Sequence, residues 1–457
     1  MDDSKNPAGN SQVAMARGIR KRGAPRGHKR FSTIPPLPRD PRPELALLQD
    51  HAGPLGFVLW RAVSDVLLWC ACPPEIRRGL LHPPTESSPD TLAYAALEAP
   101  EIVEPLRVLR SVSDTPDLAE AGVVAEACAE IALWAEVRGM IETAVQFAEA
   151  AARAEPDSSA RAYTAGRLSR RIGDHPRSAT FFRRAIRLAR RAQSERIKYS
   201  EVDFANAHLG YGNLLVDLGH SNAAEPHYWK VIRAAARSGR TSLAGAAHHN
   251  LLMVTVRMAR WGEALEHAKQ AVRYYKNGHP RFPLLAFDVA FMWSWRGYFS
   301  SALPVFEKIL PFVEHQRERI LVLASLARSA AAVRDHIRYV RASNEVLRLA
   351  AQDTEMAASS LYHVAEGARS FQQWDRAEEL ATRALDIAWQ RRDADIVKLA
   401  ERLLIALKAN EPGDVDVVPE EGGIVDATRE MILRRLQKQP APDESSRAVR
   451  PEQYPTD

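Results

Sequence analysis

One spacing recurs along the middle of this 457-residue chain and restricts what it can fold into. Ala144, Ala148 and Ala151 stand at i, i+4 and i+7, and the same spacing returns at Ala264, Ala268, Ala271 and at Ala377, Ala381, Ala384. Bulkier copies are Ser178, Phe182, Ala185, then Ala224, Tyr228, Val231, then Ala302, Phe306, Ile309. At about 100° per residue, each triplet falls on one helical face. Twelve residues before each first member stand Ala132, Gly166, Gly212, Leu252, Ala290 and Ala365, nearly all of them small. Small residues facing one another let two antiparallel helices approach closely, where larger ones would force them apart. Trp261, Phe299 and Trp374 stand three residues before an alanine and read as wedges at the turn between the two helices. Gly173-Asp174, Gly219-His220 and Gly297-Tyr298 supply turn residues at the same place. Each unit is then a helical hairpin, and the chain is expected to be all-α.

This pattern resembles the tetratricopeptide repeat (TPR), which joins a small residue early in one helix to Ala–x3–aromatic–x2–Ala in the next. Placing the small residues at the family's eighth position starts units near residues 125, 159, 205, 245, 283 and 358. A degenerate unit near 320 fills the gap. The intervals of 34, 46, 40, 38, 37 and 38 residues mostly exceed the family's repeat of about 34, which implies longer helices or loops. Such lengths are similar to the divergent arrays of bacterial regulators and peptide receptors. The resemblance covers residues 118–410 and implies a right-handed α-solenoid of about seven TPR-like hairpins.

Residues 45–117 lie outside that register. Leu45, Leu47, Leu48, Leu55, Val58, Leu59, Val63, Val66 and Leu67 indicate one or two amphipathic helices, and Tyr94 to Val112 a helix pair broken at Pro100. An array exposes its first apolar face unless something covers it, so this segment reads as an N-terminal helical cap or a small helical module. Asp395 to Leu407 offers a cap at the other end. Residues 1–44 are basic, with ten Lys+Arg against four Asp+Glu, and residues 411–457 are acidic, with six against eleven. Both are Pro-containing, lack periodicity and read as mostly disordered tails, with one short helix at 424–437.

Charge and cysteines set further bounds. The net charge of +5 is modest. Cys70, Cys72 and Cys128 are too few and too odd for a disulfide framework, which points to a reducing, cytoplasmic setting. The first residues show no apolar signal region, and the most apolar stretch, Leu55 to Cys72, is interrupted by Arg61 and Asp65, arguing against a membrane span. Catalytic motifs are missing: no Gly-Lys-Ser/Thr phosphate loop, no His-Glu-x-x-His and no Gly-x-Ser-x-Gly. No metal site, cofactor or catalytic residue is expected. His248-His249 are adjacent on a helix, about 100° apart, and cannot chelate one ion well.

The resemblance also implies a groove, because the first helices of such hairpins line the concave side. Carried onto this chain, the exposed places are Tyr163, Arg167, Arg170 and Arg171, then Asn206, Asn213 and Asp217. His249, Asn250, Met253 and Arg257 come next, and Phe287, Phe291 and Trp295 end the series. An Asn side chain both donates and accepts, so it can bond a peptide backbone irrespective of sequence. Arginines at one end would hold carboxylates, and the aromatic cluster at the other would bury an apolar anchor or simply pack as core. Asn213 and Asn250 match two asparagines of the clamp that chaperone-binding repeats use for a terminal carboxylate. The cations of that clamp are missing, and Leu209, Leu284 and Asp288 stand in the corresponding places. The leading expectation is a non-enzymatic scaffold or sensor that binds a protein or peptide. The alternative is a regulator touching nucleic acid through Arg17, Arg20, Lys21, Arg22 and Arg26 and through the stripe Arg183, Arg187, Arg190.

Overall fold

The computed structural model describes residues 33–38, 44–51, 53–81, 91–197, 200–313, 315–351, 356–419 and 422–440. Two compact units divide the chain, Met1–Ile34 and Pro35–Asp457. The first contributes only Thr33 and Ile34, so the candidate contacts Arg17, Arg20, Lys21, Arg22 and Arg26 lie outside the described residues. All the helices belong to the second unit.

Among the described residues there is helix and no strand. The N-terminal part holds α1 (Pro54–Ala71), α2 (Pro74–Leu80), α3 (Thr91–Glu98) and α4 (Val103–Asp114). Then come α5 (Ala121–Val137), α6 (Ile141–Ala154), α7 (Ser159–Arg171), α8 (His175–Ser194), α9 (Ser200–Asp217) and α10 (Ser221–Ser238). These are followed by α11 (Thr241–Arg257), α12 (Trp261–Tyr274), α13 (Phe282–Trp295) and α14 (Phe299–Ile309). The last are α15 (Gln316–Ala332), α16 (His336–Ala350), α17 (Ala357–Ser370), α18 (Trp374–Arg391), α19 (Ala394–Lys408) and α20 (Gly422–Gln437). From α5 to α18 each odd helix packs against the even helix that comes after it. Odd helices also touch the next odd helix, α7 on α9 through α17 on α19, while each even helix packs mainly on the odd ones beside it. This layering of adjacent pairs is consistent with a helical solenoid.

The repeated triplets are the buried seam of those pairs. Every member, from Ala144 to Ala384, is buried, and so are the small residues twelve places upstream. Size is traded across the seam. A Cβ on Gly212 would stand 2.7 Å from the Tyr228 ring, and one on Gly166 would stand 3.1 Å from Phe182. The degenerate unit near 320 keeps the same frame: Ala327 on α15 precedes the buried Tyr339, Ser343 and Val346 of α16 by the same interval. Five residues before each triplet the backbone turns left-handed. Gly139, Gly173, Gly219 and Gly297 do so freely, and Ala259, Arg334 and Gln372 adopt φ of 54°, 62° and 58° in their place. Trp261, Phe299 and Trp374 are the first residues of their helices, as wedges at the turn should be.

At the N-terminal end, α1 rests on α3, α4 and α6, and α4 on α5. Buried residues between Leu47 and Phe181 share one apolar core, in which α1 and α4 lie against α6 and α5. By length and composition α1 could cross a membrane, and here Leu59, Val63 and Val66 are buried in that core.

The C-terminal segment departs from a disordered tail. Residues 411–419 run back over the ends of α17 and α13, and α20 docks on α12, α13 and α14. Val425, Ile432 and Leu436 share one face of α20 and are buried, which is enough apolar surface to hold a helix that composition marks as tail. Residues 441–457 lie outside the described residues.

Candidate functional site

The odd helices present the residues expected in a groove, and many are already engaged with one another. Arg167 on α7 grips Glu136 of α5 through both guanidinium nitrogens, one of them at 2.6 Å, and Arg171 adds a third bond to that carboxylate at 2.6 Å. Glu136 has 2% of its side chain exposed, so this is a buried, bidentate pair joining two hairpins. Arg170 bonds Asp217 of α9 at 2.9 Å. The arginines expected to hold a ligand's carboxylates are thus held by the protein's own. Tyr163 packs its ring 6.1 Å from Phe182, half-buried.

Asparagines form the next stretch. Asn250 Nδ2 on α11 donates to Asn213 Oδ1 on α9 at 2.8 Å, and the Tyr228 hydroxyl donates to the same oxygen at 2.9 Å. Both asparagines are half-buried, and neither Asn213 Nδ2 nor Asn250 Oδ1 has a bond in this network. Asn206 Oδ1, nearer the start of α9, is buried without a hydrogen-bond partner. Arg257 is exposed and donates to the Val216 carbonyl at 3.4 Å.

His249 corrects its assignment to the groove surface. It is 4% exposed, and its Nε2 lies 2.7 Å from Asp288 Oδ2 on α13, because the next odd helix covers it. His248 faces its helical partner instead, with its Nδ1 3.1 Å from His267 Nδ1. The same geometry occurs one pair earlier, where His208 and His227 place Nδ1 atoms 2.8 Å apart. Burial lowers all four imidazoles: His208 falls to about 2, His227 and His248 to about 4, and His267 moves the same way. Each pair of neutral rings shares one proton across its contact, with a donor on one ring and an acceptor on the other.

The aromatic end divides between core and surface. Phe287 and Phe291 are half-buried against the core and stack with centroids 5.6 Å apart, whereas Trp295 is 43% exposed. The Arg328 guanidinium of α15 sits 5.5 Å from the Trp295 ring, within cation–π reach. Arg328 is itself buried, and its Nε donates to Asp414 Oδ2 of the C-terminal segment at 2.6 Å. Behind it the Tyr362 hydroxyl donates to Glu366 Oε1 at 3.1 Å, and Arg369 pairs with Glu366 Oε2 at 3.1 Å. Burial, with Asp414 nearby, pushes the Glu366 carboxyl up, and burial takes the His363 imidazole down to about 3. This polar cluster carried no motif. Only its position on α15 and α17, beside the aromatic end, could have marked it.

On the outer side, the arginine stripe of α8 is heterogeneous. Arg183 and Arg190 are exposed, Arg190 with its guanidinium 5.9 Å from the Phe204 ring, and Arg187 is half-buried with its Nη1 lacking a partner. Arg184 is buried and tied to the carbonyls of Pro35 at 2.7 Å and Pro156 at 2.6 Å. No group of three metal-ligating side chains occurs among the described residues. The three cysteines are unpaired, and burial pushes the Cys70 thiol up to about 11, away from nucleophilic use. Compared with known proteins, no family model and no curated protein matches this chain.

Proposed function

We propose that this chain is a divergent TPR-like array, right-handed with about seven hairpins, acting as a non-enzymatic cytoplasmic scaffold that binds a peptide or protein segment along its odd helices. The seam of triplets and the recurrent left-handed turn support the family reading. The observation that carries the binding reading is the Asn213–Asn250 pair. Asparagines are costly inside helices, and these two bond each other across α9 and α11 while keeping one amide donor and one carbonyl acceptor uncommitted. A peptide unit offers the complementary acceptor and donor. Arg257, at the end of α11 itself, and Trp295, at the end of the neighbouring odd helix α13, are exposed groups of the same row.

The test is a display screen of short peptides against the full chain, followed by titration of the best binder. Asn213→Ala/Asn250→Ala should lose at least tenfold in affinity while its far-ultraviolet circular dichroism matches the parent. Full affinity in a folded double variant would remove the site. A second reading, nucleic-acid contact, draws on the outer face, where the charges acting on Lys230 are the cations Arg190 and Arg233. Phosphate contacts there would make binding of an oligonucleotide fall steeply as salt rises.

A further inference from the structure

Residues 411–419 come after α19 as a segment without regular structure, yet they are held at defined points. Gly413 lies so close to α17 that a Cβ there would stand 2.4 Å from Ser370 Oγ and 2.5 Å from its backbone, so glycine alone passes. Asp414 accepts from Arg328 Nε at 2.6 Å, and its carbonyl accepts from Ser370 Oγ at 3.4 Å. Two residues on, Asp416 Oδ1 accepts from the backbone N–H of Ser300 at 2.9 Å. Ser300 is the second residue of α14, whose own N-cap Tyr298 provides no side-chain bond. Asp416 therefore caps that helix from more than a hundred residues away, where an aspartate is favoured by both the orphan N–H and the helix dipole. Val417 N–H donates to the Gly297 carbonyl at 2.9 Å.

The segment is bound as a ligand would be, by carboxylates and backbone, with little apolar anchorage. Val415, Val417 and Val418 are 57%, 46% and 86% exposed. Beneath it Asp414 engages the Arg328 guanidinium through Nε, and Nη1, on the opposite side of the group, is buried with no hydrogen-bond partner. A segment with few buried apolar contacts belongs to the low-stability end of a structure and opens without unfolding the rest.

We propose that the surface formed by Arg328, Ser370, Gly297 and the N-terminus of α14 is a docking site for an extended acidic segment of a partner protein, glycine followed by Asp-x-Asp, and that residues 413–417 are its resident, displaceable occupant. This docking site rests on the peptide-binding reading and narrows it to one ligand chemistry at one end of the odd-helix row. The tether keeps the resident copy at an effective concentration on the order of millimolar, so a partner must bring further contacts or avidity to displace it.

The probe is a fluorescent peptide of residues 411–419, titrated by anisotropy against the full chain and against Asp414→Ala/Asp416→Ala, which frees the surface but leaves the receptor side intact. The double variant should bind the peptide at least tenfold more tightly than the parent. Adding Arg328→Gln should abolish that gain, as should replacing both aspartates of the peptide by asparagine. Equal affinity for parent and variant, or no binding to a folded variant, overturns the proposal. Should the variant not fold, hydrogen exchange in the parent decides. The Val417 amide should exchange at least tenfold faster than the central amides of α15, and equal protection means the segment is a permanent part of the fold. Because Asn213 and Asn250 are untouched, loss of binding there and failure here are separate results.

Discussion

Removing the carboxylate of Glu136 tests whether Arg167 belongs to the fold or to a ligand. Glu136 is buried on α5 and takes three bonds from Arg167 and Arg171 on α7. Arg167 has 12% side-chain exposure and Arg171 34%, so Glu136→Ala takes two bonds from a guanidinium that water scarcely reaches and one from a guanidinium able to reach it. Breaking a buried pair by deleting one partner costs about 3–5 kcal/mol, and the partly exposed second arginine places the expected loss at its lower end, about 3 kcal/mol. Arg167→Ala should cost less, about 2 kcal/mol, because Arg171 still compensates the carboxylate. Replacing both Glu136 and Arg167 by methionine should recover part of the loss, a coupling of about 1–2 kcal/mol. In a chain of stacked hairpins this deficit falls on the α5–α7 contact, so the readout is urea unfolding by circular dichroism together with hydrogen exchange across residues 121–171. The expected signature is an early N-terminal transition that leaves α11 to α19 unchanged. Glu136→Ala within about 0.5 kcal/mol of the parent would refute the reasoning, since surface pairs of that worth need no buried role.

The same packing sets two further outcomes. The histidine pairs have folded-state values below the ordinary 6.5, so the folded chain binds fewer protons than the unfolded one. Their stabilisation is present above about pH 6.5 and falls as pH drops toward about 4, by up to about 1.4 kcal/mol per group per pH unit. Melting temperature measured from pH 7 to about 4.5 should fall across that same window, and His227→Leu/His267→Leu should flatten the slope; an unchanged slope would count against the pairs. At the left-handed turns, Gln372→Gly should raise stability by about 0.5–1 kcal/mol and Gly219→Ala should lower it by about 1–2 kcal/mol, read by chemical denaturation. Equal effects at both positions would mean the turn does not constrain the chain.

The seam was legible because it depends on size at fixed intervals, which is what a sequence records. Ala144 to Ala384 and their upstream partners all entered the core for that reason. The seventh frame at Ala327 and Tyr339 was harder to read, since an aromatic stands where the other triplets begin with a small residue. Its steric partner is not in its own hairpin: Gly367, on the next odd helix, lies 2.6 Å from the Tyr339 ring at its Cβ position. Compensation across units is invisible to a pattern confined to one unit. The same holds for turns at Ala259 and Arg334, where position in the frame imposes a left-handed backbone that the residue itself disfavours.

The odd-helix row was legible as a set of positions and not as a set of free groups. Register places Arg167, Arg170 and His249 on the odd helices, but whether a side chain is available depends on the carboxylate opposite it. Glu136, Asp217 and Asp288 stand on neighbouring odd helices, some 31 to 47 residues away in sequence. Asn213 and Asn250 keep spare bonding capacity because their cross-helix partner is another amide, which can accept one bond and still offer another. At the far end the logic reverses. The carboxylate that reaches Arg328 Nε comes from Asp414, beyond the last hairpin, and not from a neighbouring odd helix. That bond, together with Asp416 on the N-terminus of α14, holds the acidic segment in place where its composition describes a solvated tail.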